Sequence, residues 1–157
     1  MAERSRLTQN ILRVNDPNDL RTSRRRYRSL WEKSTATVIV VDDDLSIRRA
    51  LASQLQILGF DVLIFQGAKE LLVSELPTDN ACLLLDVYMP GMSGIELCQS
   101  LVASGRHLPT ILMSGRDHEA TRQIMRQAKP SAGLFKPFDQ KSLLKAIRKP
   151  LHNSQKR

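Results

Sequence analysis

Ala81-Cys82-Leu83-Leu84-Leu85-Asp86 is a continuous apolar run closed by a carboxylate. A run so short and so uniformly apolar suits a strand covered on both faces, as the strands of a parallel sheet are. The strand candidate within it is Ala81–Leu85, and outward from it the chain repeats the theme: Thr37–Val41, Asp61–Phe65, Pro109–Met113 and Ala132–Phe135 are further strand candidates, with helical patterns in the intervals. Strands that alternate with helices build a parallel α/β sheet, so the sequence predicts five βα units.

The helix after the first strand is the plainest. It repeats Ile47, Leu51, Leu55 and Leu58 at intervals of three and four, with Asp44 at its N-cap and Gly59 where a C-terminal cap belongs. Ala68–Glu75 reads as a shorter helix stopped by Pro77, and Ser93–Val102 sets Ile95, Cys98 and Leu101/Val102 on one face. Asp117–Ala128 aligns Ala120, Ile124 and Ala128 among basic residues and is expected to be the most exposed helix. The last helix starts near Asp139, turns Leu143, Leu144 and Ile147 inward and ends at Pro150.

The 157 residues, 41% of them hydrophobic, suit one folded domain with a tail, and a second output domain is not expected to fit. The apolar runs fall far short of the ~20 residues that cross a bilayer. The charged N-terminus lacks the apolar core of a secretory signal, so the reading places the chain in the cytoplasm with no membrane partner. Cys82 and Cys98 read as reduced core thiols, and His107, His118 and His152, which share no zinc-like spacing, as solvated loop or tail residues.

The net charge of +8 is unevenly spread: residues 1–36 hold nine Lys/Arg against four Asp/Glu, residues 37–157 fifteen against twelve. Residues 1–36 are expected to form a basic, flexible N-terminal extension, 37–151 the folded domain and 152–157 a C-terminal tail. Within the extension, Arg24–Arg26 with Tyr27 and Trp31 have the makings of a phosphate grip with base stacking, or of a contact with an anionic membrane surface. A few cations in a tail are more often merely solvated, so nucleic acid is not the expected partner.

The chemistry gathers at the strand ends. Strand one closes in Val40-Val41-Asp42-Asp43-Asp44, strand three in Asp86, strand four in Ser114 and strand five in Lys136. Ligands of open parallel sheets bind outside the carboxyl ends of the strands, so these residues are expected at one site. Carboxylates held together repel unless a cation neutralises them. Mg2+, a hard ion that takes one or two carboxylates and completes its shell with water and phosphate oxygens, answers that need. An ionised carboxylate beside it can attack phosphorus, while a lysine ammonium and a hydroxyl stand ready for the moving charge.

Taken together, Val40-Val41-Asp42-Asp43-Asp44, Asp86-Val87-Tyr88-Met89-Pro90-Gly91-Met92-Ser93-Gly94, Leu112-Met113-Ser114-Gly115 and Lys136-Pro137-Phe138 resemble the receiver domain of bacterial response regulators, over about residues 37–150. The resemblance implies a flavodoxin-like doubly wound parallel sheet in the order 2-1-3-4-5. It implies that Asp86 accepts phosphate from a sensor histidine kinase or a phosphotransfer protein. Asp43 would bind Mg2+ directly and Asp42 largely through water, with Asp86 and the backbone carbonyl of Tyr88 completing the protein's ligands. Ser114 would donate to the phosphoryl group, and Lys136, held by a cis bond to Pro137, would pair with it. Met89-Pro90 and Gly94 would shape the loop beyond the nucleophile. The chain would act on itself alone and not as an enzyme on other substrates, and its message would reach a downstream protein target or dimer mate over helix four, strand five and helix five.

One position departs from the resemblance. The switch aromatic usually lies three residues before the lysine, where this chain has Gly133; Phe135 adjoins the lysine and is expected on the other side of the strand. Either the approach to strand five is one residue short, or the readout uses another element of helix four and strand five. Other classes also use such residues. A phosphotransfer intermediate or phosphate sink would need the same site. A Mg2+-dependent aspartyl phosphatase would place its nucleophile on strand one in an Asp-x-Asp-x-Thr-like run, which Asp42-Asp43-Asp44-Leu45-Ser46 fits poorly. A nucleic-acid-associated protein would work through residues 21–33.

Overall fold

The structure, a computed structural model, describes residues 35–154. Nearly all of the expected N-terminal extension therefore lies outside the described residues, as do residues 155–157 of the expected tail.

Five parallel strands form one sheet: β1 (Thr37–Val41), β2 (Asp61–Phe65), β3 (Ala81–Asp86), β4 (Thr110–Ser114) and β5 (Ala132–Phe135), in the order β2-β1-β3-β4-β5. The apolar run that decides the fold is the central strand, and every residue of it is buried. Five helices follow the strands in turn: α1 (Leu45–Ile57), α2 (Ala68–Leu72), α3 (Gly94–Ala103), α4 (Glu119–Gln127) and α5 (Gln140–Ser154). Strand residues alternate between two apolar layers. Val38, Val40, Cys82, Leu84, Ile111 and Met113 pack with α1 and α5, whereas Ile39, Val41, Leu83, Leu85 and Leu112 pack with α2, α3 and α4. Two covered faces are what the uninterrupted aliphatic runs require.

Strand one, strand two and strand five lie where the sequence puts them, and strand three runs one residue further, to Asp86. Strand four starts one residue later than expected, at Thr110, because Pro109 has no N–H for the ladder; its carbonyl still accepts from Leu83 N at 2.8 Å. Asp44 caps α1, its carboxylate accepting from Ser46 N (2.7 Å) and Ile47 N (3.2 Å), and Gly59 follows the helix at φ +93°, a left-handed conformation that suits glycine.

Four helical expectations are corrected. α2 stops at Leu72, well short of Glu75, because the Arg106 guanidinium donates to Leu72 O (3.1 Å) and Ser74 Oγ takes Glu70 O (2.7 Å), so the carbonyls a further turn would use are already engaged. α3 centres its buried stripe on Gly94, Leu97 and Leu101, leaving Val102 exposed. α4 is the exposed helix foreseen, but it buries Thr121 and Met125 rather than Ala120 and Ile124, so its inner face is rotated by one residue. α5 does not end at Pro150: the helix continues to Ser154, into the expected tail, because the buried Pro150 and Leu151 still face the core. Among the described residues no helix is long and apolar enough to cross a membrane.

Cys82 and Cys98 are free thiols, and burial pushes Cys82 up to about 12. His107 and His152 are exposed, but His118 does more than sit in a loop. It is the N-cap of α4, its Nδ1 accepting from Thr121 N at 3.3 Å.

Candidate functional site

The sheet brings its carboxyl ends to one place. Asp42 and Asp43 follow β1, Asp86 ends β3, Ser114 ends β4 and Lys136 follows β5. Asp42, Asp43 and Asp86 each offer a carboxylate oxygen, and these oxygens lie within 4.8 Å of one another. Lys136 Nζ reaches between strands to Asp42 Oδ2 (2.6 Å) and Asp86 Oδ1 (3.0 Å). The cis peptide joining Lys136 to Pro137 is present as expected.

The environments of the three carboxylates differ. Asp42 is buried, and its polar groups are all engaged: Oδ1 accepts from Asp44 N at 2.9 Å, Oδ2 from Lys136, and the backbone carbonyl from Arg48 Nη1 at 2.6 Å. Asp43 is exposed. Asp86 is buried at 6% exposure, which leaves one edge open to solvent. Burial lifts its pKa above the ordinary carboxylate value, the Lys136 hydrogen bond and charge pull it back, and the charges of Asp42 and Asp43 push it up again. Burial works against the Lys136 ammonium too, but its hydrogen bonds to Asp42 and Asp86, with their charges, raise its pKa.

One lysine cannot balance three carboxylates. The remaining negative charge, the all-oxygen donor set and the raised pKa of Asp86 fit a hard divalent cation.

Ser114 is fully buried and its hydroxyl is occupied with the following loop: it accepts from Arg116 N at 3.0 Å and lies 3.4 Å from Arg116 O. Asp42, Asp43, Asp86 and Lys136 thus stand together, with Ser114 at the end of the neighbouring strand and its Oγ engaged by its own loop. The loop after Asp86 is held by glycine. Gly94 N donates to Val87 O at 3.0 Å, and a Cβ on Gly94 would collide with the carbonyl oxygen of Asp86.

Three supports escape the sequence reading. Arg48 is buried behind Asp42; the available signal was an arginine in line with the buried Leu51, Ala52 and Leu55. The Tyr88 hydroxyl meets Thr121 Oγ1 of α4 at 2.9 Å, and the Arg116 guanidinium lies 4.4 Å from the centre of the Tyr88 ring. These contacts join the loop after β3 to α4 and to the loop after β4, and nothing in linear spacing announces them.

Contrary to expectation, Phe135 does not face the other side of the strand from Gly133: residues two apart along a strand share a face. β5 pairs with β4 without a break from Ile111↔Ala132 to Ser114↔Phe135. Leu134 faces the α1 and α5 layer, while Phe135, opposite to it, packs in the layer of α2, α3 and α4, the side on which Gly133 faces Met125. The Arg122 guanidinium of α4 stands 5.5 Å from the Phe135 ring centre, and the tip of Met125 occupies the space a side chain on Gly133 would enter.

Sheet order and site together define a receiver domain, and a family model of the response regulator receiver domain matches residues 38–148. The chain belongs to that family. It is 37% identical over 129 residues to Nodulation protein W of Bradyrhizobium diazoefficiens, covering 80% of this chain and 56% of that protein. It is 37% identical over 119 residues to the transcriptional regulatory protein FixJ of Azorhizobium caulinodans, covering 74% and 56%. Among solved structures, FixJ-N superposes with a TM-score of 0.70 at 29% identity, over 76% of this chain and 96% of that one. The response regulator StyR superposes at 0.69 with 38% identity, over 78% and 62%. The chain spans about half the length of the curated relatives it matches.

Proposed function

We propose that this receiver is a phosphorylation switch in a two-component relay, taking a phosphoryl group onto Asp86 from the phosphohistidine of a sensor kinase or phosphotransfer protein. The observation that carries the reading is the convergence of Asp42, Asp43, Asp86 and Lys136, four side chains from three strand ends, on one partly open acidic pocket.

An Asp86 carboxylate oxygen attacks phosphorus while the donor's P–N bond breaks and its imidazole nitrogen takes up a proton. Lys136, already bonded to Asp86, follows the charge onto the phosphoryl oxygens. Ser114 exchanges its bond with Arg116 for one to the phosphoryl group, which draws the loop after β4 inward. Mg2+, when bound, neutralises the acidic set and the incoming phosphoryl oxygens. Asp43 is exposed and would hold the ion directly, whereas Asp42, with both oxygens engaged, would meet it through water; the resemblance assigns the remaining protein contact to the Tyr88 carbonyl.

In this reading the chain catalyses only its own phosphorylation and hydrolysis, in the cytoplasm. The signal leaves over α4, β5 and α5, where Arg122, Arg126, Lys129, Lys141 and Lys145 are exposed. Gly133 removes the usual aromatic, so Phe135, cross-strand neighbour of Ser114 and covered by Arg122, carries the readout.

Incubation with acetyl phosphate and Mg2+ tests the proposal. Intact-mass spectrometry is expected to show one added phosphoryl group on the native chain and none on Asp86→Asn. Labelling of Asp86→Asn, or turnover of generic phosphomonoesters that survives Asp86→Ala, would sink it in favour of a phosphatase.

A further inference from the structure

Arg48 stands where a cation is costly. It is the fourth residue of α1, lies in the inner stripe with Leu51, Ala52 and Leu55, and is only 7% exposed. Burying a guanidinium among apolar side chains is unfavourable unless its donors are met, and a cation near a helix N-terminus opposes the helix dipole. Among the described residues no carboxylate lies at ion-pair distance from it. A leucine or methionine would pack there at less cost, so the reason for an arginine lies in what its head touches.

That contact is with backbone. The β1 ladder closes at Val41, which pairs with Phe65 and Leu85, and one residue on Asp42 N reaches Phe65 O at 3.3 Å. The Asp42 carbonyl lies past the ladder, and Arg48 Nη1 donates to it at 2.6 Å. A peptide unit is planar, so holding the Asp42 oxygen fixes the plane that also contains Asp43 N and Cα. The Asp42 side chain has anchors of its own in Asp44 N and Lys136 Nζ. Asp43 is different: it is exposed, and no described residue holds its carboxylate by hydrogen bond or ion pair. Its place within 4.8 Å of the Asp42 and Asp86 oxygens therefore depends on the backbone it springs from.

We infer that Arg48 is a positioning residue: it clamps the Asp42–Asp43 peptide and thereby presents the otherwise unheld Asp43 carboxylate to a divalent cation. This rests on the reading of the acidic set as a metal site, and within that reading clamp and charge predict opposite effects of losing the arginine. Removing a cation from behind an acidic pocket strengthens the pull on Mg2+. Removing a clamp weakens binding, because the loosened peptide must be ordered when the ion arrives.

The test compares Arg48→Met, Arg48→Lys and Arg49→Met in the full chain with Asp86 unmodified. Arg49 is the exposed neighbour on α1, and its loss removes the same charge without the clamp. Backbone amide NMR follows a Mg2+ titration at residues 42–44 and 86–88, and nitrogen relaxation reads the Asp43 amide without metal. Arg48→Met is expected to weaken Mg2+ binding at least about tenfold and to lower the Asp43 order parameter well below the rigid value of about 0.85. Arg48→Lys, which keeps a donor on an unbranched stem, recovers most of both, and Arg49→Met stays near native. Arg48→Gln, too short to reach the carbonyl, takes the place of Arg48→Met if that variant fails to fold. With acetyl phosphate, the Arg48→Met labelling rate is low at limiting Mg2+ and returns to within about threefold of native at saturating Mg2+, a split that general damage to the fold does not give. Unchanged or tighter Mg2+ binding by Arg48→Met, an Asp43 amide as rigid as native, or an equal loss in Arg49→Met would overturn the inference while the metal reading stands. A native chain that binds no Mg2+ sinks the metal reading itself, and the inference with it.

Discussion

At the scale of single residues the site is a contest between burial and charge. Asp86 is buried beside two other carboxylates, which raises its pKa, and Lys136 offsets only part of that. In the proposed reading a divalent ion completes the balance, so Mg2+ is expected to raise the melting temperature at neutral pH in proportion to its occupancy, an effect that Asp43→Asn or Asp86→Asn removes in differential scanning fluorimetry. An unchanged melting temperature in the native chain would argue against the donor set. Gly94 makes the second residue-level case. Any Cβ there meets the Asp86 carbonyl oxygen, and backbone cannot swing aside as a side-chain tip can. Gly94→Ala is expected to cost about 1–3 kcal/mol in urea denaturation and to slow phosphorylation, because relief requires moving the strand end that presents Asp86. Gly133 also lacks room for a Cβ, but its neighbour is the flexible tip of Met125, so the same substitution there is expected to change stability far less.

At the scale of elements, four helices owe their starts to short local bonds, the His118 cap of α4 among them. Asp44 caps α1, and Asp44→Ala is expected to cost about 1 kcal/mol by denaturation. Ser93 and Glu96 form a capping box on α3, and Asp139 accepts from Ser142 N at the start of α5. Backbone hydrogen bonds hold Glu96 and Asp139 below their ordinary pKa values. A carboxylate with a depressed folded pKa contributes stability above its unfolded value and loses it as pH falls through the folded one. Stability is therefore expected to decline below the ordinary values of 4.5 and 3.8, and Glu96→Gln with Asp139→Asn should flatten that decline in an acid titration followed by circular dichroism. These caps show why element starts were legible: the bonds are made within a few residues of sequence. The ends were not. α2 stops where Arg106, more than thirty residues away, takes its carbonyls, and α5 runs through Pro150 because the residues beyond it are wanted in the core. The inner face of α4 departs from its helical period for a similar reason: Thr121 is buried against Tyr88 of a distant loop, which no spacing within 117–128 records.

For the molecule as a whole, one sheet covered on both faces explains why so much was readable. Each aliphatic run had to be a strand, and the run order left the polar ends at one edge, so Asp42, Asp43, Asp86, Ser114 and Lys136 could be gathered without coordinates. What lay beyond sequence was support between elements, Arg48 behind Asp42 and Arg116 over Tyr88. The central strand bears the fold most directly. Leu84 is fully buried between β1 and β4 in the layer of α1 and α5, and Leu84→Ala is expected to cost about 2–5 kcal/mol in urea unfolding. The central claim is that this architecture exists to make and hold an acyl phosphate at one carboxylate. Treating the chain with acetyl phosphate and Mg2+, reducing any acyl phosphate with borohydride and mapping the product by peptide mass spectrometry reads that claim at a single position. The account predicts conversion of residue 86 alone, dependent on Mg2+ and abolished by Lys136→Ala or Asp43→Asn; conversion elsewhere, or none at residue 86 in the folded native chain, would contradict it.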